Sequence, residues 1–264
     1  MRDISFYKKG GKFIFGMVHC KALPGTAFFD GDMKKIMDLA VKDAITLEKA
    51  GVDAMIVENM GDDPFGEKLE TPQVAALAAV AAVVAENVKV PIGIDAAMND
   101  YEAALSIAKA VGANFVRIPV FVDTVEFTGG IIQPCARKAM ILRKNLGAEN
   151  VKILADIQVK HSHMVLTHVS IEDSASAAQS SGADGIIVTG THIGKETPME
   201  IIKRVKAVTN IPIIVGSGFK TENAKEQLEI ADGAIVGSSI KEGGVFTNPV
   251  SLELTKELVE RVKK

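Results

Sequence analysis

The stretch "SGADGIIV", residues 181–188, decides the fold because its plan recurs along the chain. The other copies are "AGVDAMIV" (50–57), "VGANFVRI" (111–118) and "IADGAIV" (230–236). Each copy joins the end of a helix-like segment to a short run rich in β-branched residues. Gly51, Gly112 and Gly182 stand where the helix ends, a position that needs positive φ and so favours glycine. The repeat therefore predicts four helix-to-strand junctions.

A second set of four apolar runs alternates with the first. These runs lie in "GKFIFGMVHC" (11–20), "NVKVPIGIDA" (87–96), "NVKILADIQV" (150–159) and "TNIPIIVGSG" (209–218). Apolar strands joined by helical segments indicate a parallel sheet that is covered on both faces, and eight such units have the size of a (β/α)₈ barrel. We predict one (β/α)₈ TIM-barrel domain over residues 1–264, with strands near 13–19, 54–58, 91–95, 115–119, 152–158, 185–189, 212–216 and 233–237.

Composition and charge exclude several classes of protein. The formal net charge of -3, with no basic stripe, argues against a nucleic-acid ligand. Cys20 and Cys135 are too few for a disulfide framework, and residues 1–13 hold no apolar secretion signal, so we expect a cytoplasmic protein. The apolar segment 74–85 is too short to span a bilayer, so no membrane insertion is expected. The composition of segment 74–85 instead predicts a buried helix, which is a candidate subunit contact in a homo-oligomer.

Small residues end the last two predicted strands. "IPIIVGSGF" (211–219) and "DGAIVGSSIKEGG" (232–244) both stop in Gly and Ser. In TIM barrels the loops after these strands commonly form a phosphate site with a short extra helix, where glycine lets the backbone approach an anion. The alternative is that they only form tight turns. We predict a phosphate site made by Gly190, Thr191, Gly216, Ser217, Gly218, Gly237, Ser238 and Ser239.

Ionisable and polar residues end the other predicted strands, at the face where TIM-barrel active sites lie. The candidate catalytic residues are His19, Glu58, Asn59, Asp95, Arg117, Asp156 and Lys160. Period-2 alternation predicts that Asp156, Gln158 and Lys160 share one side of the fifth strand. A carboxylate and an ammonium there could serve as a general base and as a Schiff-base or electrostatic catalyst. The alternative is a structural layer of ion pairs, in which Arg117 neutralises Glu58 or Asp95.

Metal binding has weaker sequence support. His161, His163 and His168 are spaced on a loop without a thiolate nearby, which favours surface or substrate contacts over a metal site. Asp62 and Asp63 could hold Mg²⁺ beside a phosphate, but "GDDP" is foremost a turn sequence. We expect no organic cofactor and do not favour a divalent metal. The loop around Asp62 and the long connection 120–134 are candidate lids.

Several longer motifs occur together and span essentially the whole chain. They are "GMVHCKALPGTAFFDG" (16–31), "LEKAGVDAMIVENMGDDPF" (47–65), "ADIQVKHSH" (155–163), "ADGIIVTGTHIGKETP" (183–198) and "GSGFKTENA" (216–224). In this combination the chain resembles the BtpA family. The resemblance implies a cytoplasmic (β/α)₈ protein and adds weight to His19, Glu58, Asn59, Asp156 and Lys160. Some members of that family are linked to photosystem I biogenesis, and others are found in sugar-utilisation gene groups.

Two functions are consistent with these observations. The favoured one is an enzyme, a lyase, isomerase or hydrolase, that acts on a phosphorylated small molecule such as a sugar or nucleotide phosphate. The alternative, suggested by the resemblance, is a non-catalytic biogenesis or stability factor for a membrane protein complex. A scaffold has no need of so many ionisable residues at strand ends, which favours the enzyme.

Overall fold

The computed structural model describes residues 2–190 and 196–263, and its central element is a closed barrel of eight parallel strands. Each strand pairs with the next along the chain, and the last pairs with the first. We number the barrel strands β1 (Phe13–His19), β2 (Ala54–Glu58), β3 (Ile92–Asp95), β4 (Phe115–Ile118), β5 (Lys152–Ile157), β6 (Gly185–Val188), β7 (Ile213–Val215) and β8 (Gly233–Val236). The predicted (β/α)₈ barrel is confirmed, and every strand boundary lies within one residue of its predicted place.

Helices cover the outside of the barrel. They are α1 (Met33–Ala50), α2 (Thr71–Asn87), α3 (Tyr101–Val111), α4 (Ala136–Asn145), α5 (Ile171–Ser180), α6 (Met199–Val208), α7 (Ala224–Ile230) and α8 (Leu252–Lys263). The predicted glycine positions are confirmed, since Gly51, Gly112 and Gly182 follow their helices with φ of 88°, 69° and 95°. Among the described residues no helix is both long and apolar enough to cross a membrane.

The interior of the barrel is apolar at its lower end and ionisable at its upper end. Inward positions alternate along β1, so Phe13, Phe15 and Met17 belong to the interior cluster and His19 follows them at the mouth. The aromatic rings need space from their neighbours. Gly93 and Gly233 provide it, because a Cβ on either glycine would lie 2.1 Å from the ring of Phe115 or Phe13.

The N-terminal segment, residues 2–12, closes the lower end of the barrel. The rings of Phe6 and Tyr7 pack on Phe13, with ring centroids 6.0 and 5.3 Å away. The Tyr7 hydroxyl donates to the carbonyl of Asp184 (2.9 Å), and the N–H of Gly10 donates to the carboxylate of Asp232 (2.6 Å). Both acceptors belong to the junctions before β6 and β8, so this segment joins the start of the chain to its second half.

A small antiparallel sheet stands beside the upper end of the barrel. The connection after β4 forms a hairpin, Val125–Phe127 with Gly130–Ile132, and His163–Met164 from the loop after β5 pairs with its first strand. We call these three strands the cap sheet. The sequence predicts a long connection here but not its strands. Phe127 and Thr128 line the cavity described below, so the cap sheet forms one of its walls.

Candidate active site at the mouth of the barrel

A cavity of about 600 Å³ opens at the C-terminal ends of the strands. Register explains why the predicted residues meet there: His19 pairs with Glu58, Glu58 with Asp95, and Asp95 with Arg117 across β1 to β4. These residues all line the cavity, together with Lys160 from the segment after β5. Five of the seven candidate catalytic side chains thus share one space.

Arg117 and Asp156 form a buried, two-pronged ion pair below the cavity floor. Nε and Nη2 of Arg117 donate to Oδ1 and Oδ2 of Asp156, each at 2.8 Å. Asp156 is fully buried and is not among the lining residues. Burial opposes the charge of Arg117, but Asp156 and the other nearby carboxylates outweigh it and raise the Arg117 pKa. Both carboxylate oxygens of Asp156 are engaged, so this geometry favours the structural alternative for Asp156 over the role of general base.

The Asp95 carboxyl lies beside this ion pair and contacts Arg117 only at a longer distance. Its Oδ2 lies 3.4 Å from Nη1 of Arg117, and neither oxygen has a hydrogen-bond partner among the described residues. Burial and the negative charge of Glu58 raise the Asp95 pKa well above its usual range. This shift favours the protonated form of Asp95, which can act as a general acid into the cavity.

The raised pKa of Asp95 predicts how the stability of the protein changes with pH. Its folded-state pKa is raised, so the unfolded chain loses this proton first and stability falls as the pH rises above about 4. Asp95→Asn mimics the protonated carboxyl, so we expect the variant to be more stable than the wild type at pH 7 and equal to it below about pH 4. Urea unfolding across this pH range measures the difference. A stability difference that does not change with pH would contradict it.

His19 and Glu58 form a second pair, next to Asp95 on the neighbouring strands. Nε2 of His19 lies 3.4 Å from Oε2 of Glu58, and Nδ1 lies 3.3 Å from the carbonyl of Phe246. Burial opposes ionisation of Glu58, but the hydrogen bond from His19 and the nearby positive charges lower its pKa. The lowered pKa of Glu58 favours its carboxylate form and the raised pKa of Asp95 favours its protonated form, so the cavity holds a candidate base next to a candidate acid.

Lys160 supplies an amine to the same cavity. Among the described residues, none places a carboxylate oxygen within 4 Å of its Nζ. Burial and the positive charge of Arg117 lower the pKa of Lys160, although Glu58, Asp156 and Asp95 act to raise it. Its backbone N–H donates to the hydroxyl of Thr189 (3.0 Å). Lys160 is thus a cation of this cavity that forms no ion pair with a carboxylate among the described residues.

The small-residue ends of β7 and β8 line the wall facing these groups. Gly216, Ser217, Gly218, Gly237, Ser238 and Ser239 all border the cavity. The Ser239 hydroxyl donates to the carbonyl of Phe219 (2.7 Å), which joins the two loops. Ser238–Ile240 forms a 3-10 turn, whose first N–H groups have no acceptor within the turn. The remaining two candidates differ: Gly190 is buried and does not border the cavity, and Thr191 lies outside the described residues.

Two other polar residues do not point where the sequence pattern placed them. The side chain of Asn59 is buried and bonds to the backbone of Ala97 and to Asp62, so it braces the loops after β2 and β3 without reaching the cavity. β5 ends at Ile157, and Gln158 turns away with φ of 44°. Its amide donates to the carbonyl of Val169 (3.2 Å) and to Ser174 on α5 (3.4 Å). The alternation that predicted Gln158 beside Asp156 stops where the strand stops.

Much of the remaining cavity wall is apolar, which the sequence did not indicate. Methionine and phenylalanine side chains come from β1 and from loops that follow several different strands, so no local sequence motif predicts them. They include Met17, Met60, Met98, Phe65, Phe127 and Phe219. Lys220 also lines the cavity, beside the phosphate-site candidates. A site with polar groups at fixed points and apolar walls between them is typical of small-molecule pockets.

The residues considered for a metal are dispersed. His161 lines the cavity, whereas His163 lies in the cap sheet and His168 is exposed. Asp62 is buried and accepts from the N–H of Leu23 and from the Asn59 and Gln73 amides, so it anchors a turn. Across residues 2–190 and 196–263 no cluster of three metal-ligating side chains occurs.

Comparison with known proteins gives both relatives and structural neighbours. The sequence profile of the BtpA family matches residues 11–264. An uncharacterized protein of Pyrococcus furiosus is 40% identical over 98% of this chain and 97% of its own length. The photosystem I biogenesis protein BtpA of Synechocystis is 32% identical over 88% of this chain and 81% of its own length.

Solved structures of similar fold include enzymes of phosphorylated metabolites. Thiamine phosphate pyrophosphorylase of Pyrococcus furiosus matches with a TM-score of 0.60 and 15% identity, over 95% of each chain. A geranylgeranylglyceryl phosphate synthase of Thermoplasma acidophilum, solved with sn-glycerol-1-phosphate, matches with a TM-score of 0.60 and 17% identity, over 96% of this chain and 94% of that one. At these identities the similarity is one of fold.

Proposed function

Since this chain belongs to the BtpA family, and its fold is shared with enzymes of phosphorylated metabolites, we propose that it is an enzyme acting on a small phosphorylated metabolite at the mouth of the barrel. The observation that carries the proposal is one cavity with two kinds of wall. One part of the wall is formed by the small-residue ends of β7 and β8, and another part is formed by the ionisable residues of β1 to β4 and Lys160.

The phosphate is held by backbone N–H groups around Gly218, Ser238 and Ser239. Gly218 has φ of 66°, which leaves its backbone uncovered by a side chain at the point of approach. The 3-10 turn at Ser238 borders the same cavity, and its first N–H groups have no acceptor within the turn. Lys220 adds a positive charge at this end of the cavity. Binding through the backbone makes the hydroxyls secondary contributors.

The reacting part of the substrate then lies against the ionisable wall. Asp95 is the general acid, because its pKa is raised and both its oxygens are open to a new partner. Glu58, with His19 beside it, is the general base. Arg117 holds Asp95 in place and stabilises the carboxylate left after proton transfer. Metabolites with a group that can be protonated and deprotonated on opposite sides suit this arrangement.

A thermal-shift titration with inorganic phosphate tests the proposal. At ten times its dissociation constant, a ligand that binds only the folded state stabilises it by about 1.4 kcal/mol, a rise of roughly 3–6 °C in melting temperature. Sodium chloride at equal ionic strength is the control, and it should give no comparable rise. Equal effects of phosphate and chloride at every concentration would contradict the phosphate site.

The alternative, an assembly or stability factor for a membrane complex, has one specific observation in its favour. The Synechocystis relative carries the name of a photosystem I biogenesis protein. For a factor of this kind the outer surface would matter and the cavity would not. Variants of cavity residues such as Lys160 should then leave complex accumulation unchanged in a host that depends on the protein, whereas the enzyme proposal expects them to reduce it.

A further inference from the structure

We propose that Lys160 forms an imine with the substrate, which is a phosphorylated aldehyde or ketone with an apolar or planar body. This inference rests on the proposed phosphate site and deepens it by naming the reactive group of the metabolite. Three independent features carry it: the placement of Lys160, the groups around its amine, and the composition of the cavity wall.

The backbone on both sides of Lys160 is held in an uncommon conformation. Gln158 and His161 have φ of 44° and 63°, a left-handed region that is unfavourable for residues other than glycine. Hydrogen bonds stabilise it: Asp123 accepts from the N–H of Gln158 (2.7 Å) and Thr189 from that of Lys160 (3.0 Å). Asp123 is itself bonded to Ser174 (2.7 Å). The result of these contacts is that Lys160 leaves the strand and lines the cavity.

The surroundings of the amine suit nucleophilic attack. Among the described residues, its Nζ forms no ion pair, while Arg117 on β4 faces it with a positive charge. Glu58 on β2, Asp95 on β3 and Asp156 on β5 are the acidic groups facing it. The lowered pKa means that more of the amine is uncharged at neutral pH than for an exposed lysine, and only the uncharged form attacks a carbonyl.

The step balances with groups already in the cavity. The Lys160 nitrogen bonds to the carbonyl carbon, and one of its protons moves to the carbonyl oxygen to give a carbinolamine. Asp95 then donates its proton to the departing hydroxyl, which leaves as water, and a protonated imine remains. The Asp95 carboxylate formed in this way lies 3.4 Å from Arg117, which stabilises it. The imine can accept electrons from a neighbouring C–H or C–C bond, so the reaction is that of an isomerase or lyase.

The cavity wall limits the body of the substrate. The lining includes the apolar side chains of Met17, Ile235, Phe219, Phe65 and Phe127. Sugar hydroxyls buried against these side chains would lose their hydrogen bonds to water without gaining new partners, which disfavours binding. An apolar or aromatic body has no such cost. A planar phosphorylated aldehyde is therefore a suitable probe.

The experiment uses pyridoxal 5′-phosphate as that probe, followed by borohydride reduction and peptide mass spectrometry of the full chain. Reduction converts an imine to a stable secondary amine. We expect Lys160 to be labelled about ten-fold or more faster than the exposed Lys34 and Lys144, and we expect inorganic phosphate to slow only the Lys160 reaction. Pyridoxal, which lacks the phosphate, should label Lys160 more slowly. Lys160→Met should abolish the fast, phosphate-sensitive label and melt no lower than the wild type, because it removes a buried charge.

The outcomes separate the two proposals. Labelling of Lys160 no faster than Lys34 and Lys144, with the phosphate thermal shift intact, would overturn the imine and leave the phosphate site standing. Fast labelling by pyridoxal and pyridoxal phosphate alike, without a phosphate shift, would overturn the phosphate site and keep a reactive lysine. If phosphorylated sugar aldehydes labelled Lys160 faster than the planar probe does, the inference that the substrate has an apolar or planar body would be wrong.

Discussion

Asp156→Asn is expected to destabilise the protein by about 3–5 kcal/mol, which is the effect of breaking a buried ion pair by removing one charge. Both oxygens of Asp156 accept from Arg117 at 2.8 Å, and the side chain is fully buried. The amide keeps the shape but leaves the guanidinium with one acceptor and no opposite charge at that position. Chemical denaturation at pH 7 measures the loss.

The chain offers a matched control for this prediction. Arg204 and Glu172 form the same two-pronged geometry, at 2.6 and 2.7 Å, on the exposed surface between α5 and α6. Solvent screens this pair, so Glu172→Gln should change the free energy of unfolding little. If both variants lost a similar free energy of unfolding, the contribution of these ion pairs to stability would depend on their geometry and not on their burial. Full stability of Asp156→Asn with loss of turnover would restore Asp156 as a catalytic base.

Gly218→Val is expected to abolish the thermal shift by phosphate. A branched side chain at this position would lie where a phosphate oxygen must approach the backbone. Gly218 also has φ of 66°, so any side chain there is strained and the variant should melt below the wild type. The measured quantity is therefore the shift that phosphate adds, compared at equal ligand concentration, and not the melting temperature itself.

Gly112→Val is the control that separates the effect of backbone strain from the loss of phosphate binding in Gly218→Val. Gly112 follows α3 with φ of 69°, and no atom lies within 4 Å of the place its Cβ would take. It carries the same backbone cost as Gly218 but lies away from the cavity. We expect this variant to melt lower than the wild type and to keep the full phosphate shift. If Gly218→Val kept that shift too, the ends of β7 and β8 would be turns and nothing more.

The barrel could be predicted from the sequence because its strands repeat a local pattern. In "SGADGIIV" the glycine ends a helix and the apolar run begins the strand, and both features depend on neighbours in the chain. Strand ends then placed His19, Glu58, Asp95 and Arg117 at one mouth, since parallel strands in a barrel end at the same face.

The rest of the site depends on contacts between loops, which the local pattern does not contain. Asn59 stands next to Glu58 in sequence, yet its amide bonds to Ala97 and Asp62 and stays outside the cavity. Gln158 leaves the strand because its backbone turns toward Asp123. The cap sheet pairs residues from two separate loops, and no repeated sequence pattern predicts its short strands.

The closure of the lower end of the barrel has a consequence for how the protein is made. Residues 2–12 leave the ribosome before the strands of the barrel, yet Tyr7 and Gly10 bond to Asp184 and Asp232, which are synthesised much later. β1 has the same dependence, because its partner β8 lies near the end of the chain. Until then the aromatic rings and one edge of β1 stay exposed on the nascent chain, where they are prone to aggregation. Residues 2–19 are thus made before the rest of the barrel but reach their final contacts among the last, and nascent chains halted before β8 should be the ones that chaperones retain.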